Sequence, residues 1–264
     1  MAASWRHYLR LHKKKARQEE QKCIVEGVRL CREALRSEWE IEVAFTTEEF
    51  TQSPHWTQFQ DFFQHRKIPW RVIKEAYFQR LADTETPQGI LLIVRTPRFS
   101  PERFNWDKAA FVVVLEGIRD PGNLGTLIRT ADWFGANAVA LSEDCVDPHN
   151  PKVLRASMGS IFHLPVFEIG DLTTAVPHLK EHHFYVVAAT LNGRKVLHRT
   201  HFRKPIALIL GSEAQGVSPA VEQMCDLTVR IWKYGEADSL NVGVAGGVLM
   251  HHIAMQIFSS TSKR

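Results

Sequence analysis

Long apolar runs recur through the second half of the chain. "AAFVVVLEG", "FYVVAAT" and "PIALILG" have hardly an interior polar position, the pattern of strands buried on both faces. Between them lie amphipathic stretches: "NLGTLIRTADWFG", "DLTTAVPHLKEH" and "SPAVEQMCD" read as helices, and "ANAVALSED" and "LTVRIW" as further strands. "NPKVLRASMGSIFHLP" reads as a helix and a short strand, and "SLNVGVAGGVLMHHIAMQIF" as a long apolar helix. Apolar strands alternating with helices predict an α/β fold, a parallel sheet covered on both faces. The first hundred residues alternate less regularly. Residues 1–36 read mostly as helix, with Ile24, Val25, Val28 and Leu35 on its apolar side. "IEVAFTT" (41–47), "IPWRVI" and "ILLIVR" read as strands, with helical stretches around them. "TPRFSPERFNWDK" (96–108) has two prolines and no periodicity, so it is the candidate linker between a small α/β domain over 1–100 and a larger domain over 107–264.

Composition narrows the class. No apolar run is long enough to span a membrane, and the N-terminus lacks the apolar core of a secretory signal. Cys23, Cys31, Cys145 and Cys225 form no C-x-x-C pair, which predicts reduced thiols and a cytoplasmic protein. His182-His183 and His251-His252 are adjacent pairs without ligand spacing, so no metal site is expected. The net charge of +4 is uneven. Residues 1–36 carry ten Lys/Arg against four Glu, while the other 228 carry 23 basic and 25 acidic side chains. Basic residues mixed with Trp5, His7 and Tyr8 suggest a surface that grips a phosphate backbone.

In a parallel α/β sheet, ligands bind where strands run into helix N-termini, and three such loops differ from ordinary packing. In "EGIRDPGNLGTLIRTADWFG" (116–135), Leu124, Leu127, Ile128 and Ala131 form one apolar stripe. Asn123 falls where the helix cap is expected, and Arg129 points about 150° away from the stripe at about 100° per residue. In "LILGSEAQGVSP" (208–219) a buried strand ends at Gly211, where a ligand could approach the backbone; Glu213 follows, and Ser218-Pro219 starts a helix. In "IWKYGEADSLNVGVAGGVLMHH" (231–252), Ser239 and Asn241 stand at the mouth of a helix containing Gly243, Gly246 and Gly247. Each interior glycine costs about 1 kcal/mol relative to alanine, so three imply a very close backbone crossing, within the domain or between two copies of the chain. Read alone, each loop is equally compatible with a turn and a cap. A dinucleotide-binding G-x-G-x-x-G turn, a P-loop and a G-x-S-x-G elbow are all absent.

In order and spacing, "DPGNLGTLIRTADWFGA", "LILGSEAQGVS" and "SLNVGVA" resemble the three signature motifs of the SpoU (TrmH-like) RNA 2′-O-ribose methyltransferases of the SPOUT superfamily. "VDPHNPKVLRASMGSIFHLPV" is similar to the subgroup that modifies ribosomal RNA. "KKKARQEEQKCIVEGVRL" and "TETPQGILLIV" are similar to the substrate-binding domain that precedes the catalytic domain there. The resemblance implies a C-terminal α/β trefoil knot that binds S-adenosylmethionine, and a homodimer through the knotted region. It implies cofactor contacts at Leu210, Gly211, Ile231 and Leu240, and a polar reaction set of Asn123, Arg129, Glu213, Ser239 and Asn241. It implies methyl transfer to a ribose 2′-hydroxyl in RNA, with ribosomal RNA as the leading substrate. A transfer-RNA enzyme and a non-catalytic RNA-binding or ribosome-assembly protein are the alternatives. Where the family often has proline after the position of Ile231, this chain has Trp232.

Overall fold

A computed structural model describes residues 4–258. The chain forms two compact units, residues 1–98 with 147–163, and residues 99–146 with 164–264. The segment 147–163 lies inside the range 107–264 yet belongs to the first unit.

In the first unit, helices α1 (Trp5–Tyr8) and α2 (Lys14–Glu20) precede strand β1 (Lys22–Glu26) and helix α3 (Val28–Arg36). Strand β2 (Ile41–Thr46), helices α4 (Glu48–Thr51) and α5 (Trp56–His65), strand β3 (Trp70–Val72), helix α6 (Glu75–Leu81) and strand β4 (Ile90–Arg95) follow. They build a four-stranded sheet in the order β1-β4-β2-β3. The reading of 1–36 as mostly helix is corrected here by β1. Gln21 is left-handed and ends α2, Ile24 and Val25 favour the sheet, and Gly27 at φ 92° turns the chain into α3. A short apolar run cannot be assigned by periodicity alone.

Helix α8 (Pro151–Ser157) and its flanks complete this unit. The 4 %-exposed Arg17 holds Asp147 through Nε at 2.7 Å and Nη2 at 2.6 Å, and its Nη1 donates to the carbonyls of Leu11 and His12. Trp39 packs edge-on against His149 and Phe162. A buried pair of this kind repays its desolvation only when its remaining valences are satisfied, as those carbonyls do for Arg17.

The second unit contains strand β5 (Phe111–Glu116), helix α7 (Pro121–Trp133), strands β6 (Ala138–Leu141) and β7 (Val166–Glu168), and helix α9 (Leu172–Glu181). Then come strands β8 (Tyr185–Ala189), β9 (Lys195–Val196) and β10 (Ile206–Gly211), helix α10 (Pro219–Met224), strand β11 (Leu227–Arg230) and helix α11 (Val242–Phe258). All pairings in this seven-stranded sheet are parallel, in the order β7-β6-β5-β10-β8-β11-β9. Phe111–Leu115 and Ile206–Ile209 are fully buried, as their apolar runs predict. The two-residue β9 has no apolar signature and is not legible as a strand.

Two of the three glycines of α11 are explained within the unit. A side chain at Gly246 would lie 2.5 Å from Leu127 of α7 and 3.1 Å from Leu210, and one at Gly243 would lie 3.1 Å from Thr126. Helix α11 therefore crosses α7 at close range, and the apolar side of α7 at Leu124, Leu127, Ile128 and Ala131 is fully buried.

Candidate active site

The strand ends β5 and β10 and the head of α11 bring the three loops together. Glu213, two residues past β10, is the hub. Its Oε1 accepts from Asn123 Nδ2 at 2.9 Å and from Asn241 Nδ2 at 2.7 Å, with the backbone N–H of Val242 at 3.4 Å. Asn241 Nδ2 also donates to Asn123 Oδ1 at 2.9 Å. Asn241 Oδ1 in turn accepts from the N–H groups of Gly243 and Val244, so Asn241 caps α11. A carboxylate at the start of a 17-residue helix also complements the helix dipole.

Asn123 itself is not a cap. Asp120 caps α7 and accepts from the backbone N–H of Asn123 at 2.7 Å, with Pro121 opening the helix. The correction matters chemically, because it releases the Asn123 side chain for Glu213 and Asn241. Arg129 is exposed and makes no hydrogen bond or ion pair among the described residues, leaving its five N–H donors for a ligand. Ser239 is exposed and also lies outside the hydrogen-bonded set. Ser218 stands at the start of α10, but its side chain makes no capping bond; its N–H donates to Glu116.

A cleft of about 580 Å³ opens beside this cluster at the carboxyl ends of β8, β10 and β11. Leu210, Gly211, Glu213, Ile231, Ser239 and Leu240 all line it. Its volume suits a small organic ligand. Leu210, Ile231, Val242 and Leu249 supply an apolar wall. Among the described residues, no backbone N–H from Trp232 to Leu240 donates to another main-chain carbonyl. The cleft thus combines an apolar surface with available main-chain donors, a fit for an aromatic base carrying polar edges.

Two readings of this region change. Gly211 is required by the chain itself, because a side chain there would lie 1.9 Å from the Gly216 carbonyl carbon as the loop folds back. Trp232 lines the cleft while 47 % exposed, with the Arg230 guanidinium 5.7 Å from its ring centre. The motif reading passes over Thr190, Leu191 and Asn192, which also line the cleft. They follow β8, and only the sheet order shows that β8 sits between β10 and β11. Among the described residues, no group of three His, Cys, Asp or Glu side chains is placed to hold a metal ion.

Part of the expected phosphate-gripping surface at the N-terminus is spent on the fold, while Arg6, Lys13, Lys14 and Arg29 stay exposed without an ion pair among the described residues. Tyr8 is fully buried and donates to Glu42, and burial together with that carboxylate raises its pKa well above the usual phenol range. Arg17 is held by Asp147, Arg10 by Glu19 and Glu20, and Lys22 by Glu42; Trp5 stacks on Tyr77.

An open parallel sheet with a ligand-sized cleft at its strand ends, edged by a carboxylate–amide cluster, defines an α/β domain built to hold a small ligand beside polar side chains. Comparison with known proteins makes that class specific. Residues 110–251 match the SpoU rRNA Methylase family, and residues 6–92 match the MRM3-like substrate binding domain. The chain belongs to the SpoU rRNA methylase family. It is 34 % identical to 23S rRNA (guanosine(2553)-2′-O)-methyltransferase RlmP of Bacillus subtilis (strain 168), over 92 % of this chain and 93 % of that one. Among solved structures, it is similar to an RNA 2′-O ribose methyltransferase at TM-score 0.81 and 28 % identity, covering 96 % of this chain and 95 % of that one. It is also similar to the AdoMet-bound rRNA methyltransferase from Sinorhizobium meliloti, at TM-score 0.82 and 29 % identity, over 95 % and 93 % of the two chains. The fold is that of the SPOUT methyltransferases, a trefoil-knot α/β domain with a smaller N-terminal domain.

Proposed function

We propose that the protein transfers a methyl group from S-adenosylmethionine to a ribose 2′-hydroxyl of ribosomal RNA. The observation that carries this reading is the meeting of Asn123, Glu213 and Asn241, up to 118 residues apart in sequence, in one hydrogen-bonded cluster at the cleft. The relatives named above act on ribosomal RNA or on a ribose 2′-oxygen by their names, and one solved structure holds AdoMet. S-adenosylmethionine supplies an activated methyl on a sulfonium, so the leaving group is good and the acceptor hydroxyl is the weak partner.

The residues of this chain then have three tasks. Leu210, Ile231 and Leu240 pack the adenosine in the cleft, with main-chain groups around Gly211 reading its edges. Asn123, Glu213, Asn241 and Ser239 fix the geometry at which the hydroxyl meets the methyl, since in-line positioning is the largest part of such a reaction. Arg129 holds the phosphate beside the target ribose and stabilises charge developing on its oxygen. A guanidinium with a pKa above 12 is poorly suited to remove the proton itself.

The active form is a homodimer acting in the cytoplasm during ribosomal RNA processing. Exposed Val244, Val248 and Met255 form an apolar line down α11, and the four cysteines are free thiols. No helix among the described residues is long and apolar enough to cross a membrane.

The test is methyl transfer from labelled S-adenosylmethionine to RNA from a strain lacking the gene, with wild type and Asn123→Ala side by side. Label in alkali-resistant dinucleotides, lost in the variant, is the expected result. Label that alkali releases within mononucleotides would place the methyl on a base and overturn the reading.

A further inference from the structure

Residues 190–205, "TLNGRKVLHRTHFRKP", connect β8 to β10 and contain five Lys/Arg, two His and no acidic residue. Removing those five from the 23 basic residues beyond position 36 leaves 18 against 25 acidic ones, so the positive charge here stands out from an acidic background. Arg194, Lys195, His198, Arg199, His201, Arg203 and Lys204 are all exposed. None of the five Lys/Arg makes an ion pair among the described residues; Arg203 lies 4.9 Å over the ring of Tyr185.

The segment is anchored along its length. Leu197, Thr200 and Phe202 are buried between the basic positions. Gln256 of α11 accepts from the Phe202 N–H at 2.8 Å and donates to the Thr200 carbonyl at 3.0 Å, and Thr200 Oγ1 donates to the Val196 carbonyl. Helix α11 itself carries no Asp or Glu. At one end the strip begins two residues beyond Asn192 in the cleft wall, where Gly193 is pressed against the backbone of β11. It then follows the sheet edge past β9 and returns to the start of β10, a strand length of about 20 Å.

We infer that this strip is a track for the phosphate backbone of the substrate RNA, carrying the strand that flanks the target nucleotide away from the cleft. The inference rests on the function proposed above, which places an RNA ribose at the cleft. Unpaired cations along an anchored segment that starts beside the cleft match a polyanion. They contact phosphates rather than bases, so they set affinity and register without sequence preference.

The experiment uses the full chain and a fluorescein-labelled 20-nucleotide oligouridylate, with affinity measured from 50 to 300 mM KCl. The variant carries Arg194→Gln, Lys195→Gln, Arg199→Gln, Arg203→Gln and Lys204→Gln. Single-stranded binding has a slope of log affinity on log salt of about −0.7 per phosphate neutralised, so three of the five in contact lower the slope by about 2. S-adenosylmethionine binding is expected to be unchanged. The pair Arg199→Gln, Lys204→Gln, farther along the chain from the cleft, is expected to lower the slope by about 1.4, and the three Arg→Lys changes to preserve it. An unchanged slope in the fivefold variant overturns the track, as does an equal loss from the control pair Arg103→Gln, Lys108→Gln. Vesicles with anionic lipid that bind through the strip, with RNA binding unaffected, would overturn it in favour of a membrane. Strip-dependent RNA binding without methyl transfer sustains the track and sinks the reaction; transfer with a strip-independent slope does the reverse.

Discussion

Glu213 collects two side-chain amides and a main-chain N–H on one oxygen, so the charge of that oxygen sets the geometry of two other loops. Hydrogen bonds to a charged acceptor contribute about 1.5–3 kcal/mol, less where water competes as it does here. Glu213→Gln keeps the shape and is expected to lower kcat/KM roughly tenfold, with Glu213→Ala nearer a hundredfold, in a methyl-transfer assay. Arg129→Lys keeps charge but loses the planar fork. Its kcat/KM is expected to fall by at least roughly tenfold at unchanged S-adenosylmethionine affinity; retention of most activity would show that a point charge is enough. That Asn123, Arg129, Glu213, Ser239 and Asn241 form a set was legible only through the resemblance of the three motifs, each loop read alone being equally a turn and a cap. Who bonds whom was not. Asn123 has the composition of a cap, and only the backbone shows Asp120 in that role, three residues earlier. Gly211 likewise looks like room for a ligand, and only the return of the chain at Gly216 shows that the fold itself also requires a glycine there.

At the level of elements, the glycines of α11 separate into two kinds. A methyl at Gly246 would press on Leu127 and Leu210 in a fully packed crossing, whereas one at Gly247 would meet Thr130 at 3.9 Å, ordinary contact. Overpacking costs about 1–3 kcal/mol and the helical preference for alanine returns about 1 kcal/mol. Thermal or urea melts are therefore expected to show Gly247→Ala stabilised by up to about 1 kcal/mol and Gly246→Ala destabilised by about 0–2 kcal/mol. Strands β5, β6, β8 and β10 of the second sheet were readable because burial on both faces leaves a continuous apolar run, whereas β7 forms at Val166–Glu168, just past the stretch read as a helix and short strand. Strand β1 was missed because five residues between two helices satisfy either period, and β9 because its pairing to β11 is decided by the rest of the sheet.

For the whole molecule, two properties can be measured on the intact chain. Burial holds the pKa of His149 down to about 4, with Arg17 acting in the same direction and Asp147 opposing. The folded state therefore keeps His149 neutral where the unfolded chain, near 6.5, takes up a proton. Stability from this group is complete above about pH 6.5 and falls as the pH drops toward 4, by at most about 3 kcal/mol. Urea melts at pH 7.0, 5.5 and 4.5 are expected to show that loss, and His149→Phe to flatten it. The apolar line on α11 makes the second prediction. Val248→Arg places a charge at its centre, and sedimentation is expected to show monomers in place of dimers with the fold unchanged.

The excursion of residues 147–163 into the first unit has a consequence for how the protein is made. The ribosome releases the chain from its N-terminus, so residues 1–98 emerge before the piece that completes their unit. Until residue 163 is out, 65 residues after residue 98, Arg17 has no Asp147 to neutralise it and Trp39 lacks Phe162. At about 5–20 residues per second that wait lasts about 3–13 s. Residues 1–98 thus lack those two contacts while residues 99–163 are being translated, and a piece cut at the linker would be without them as well.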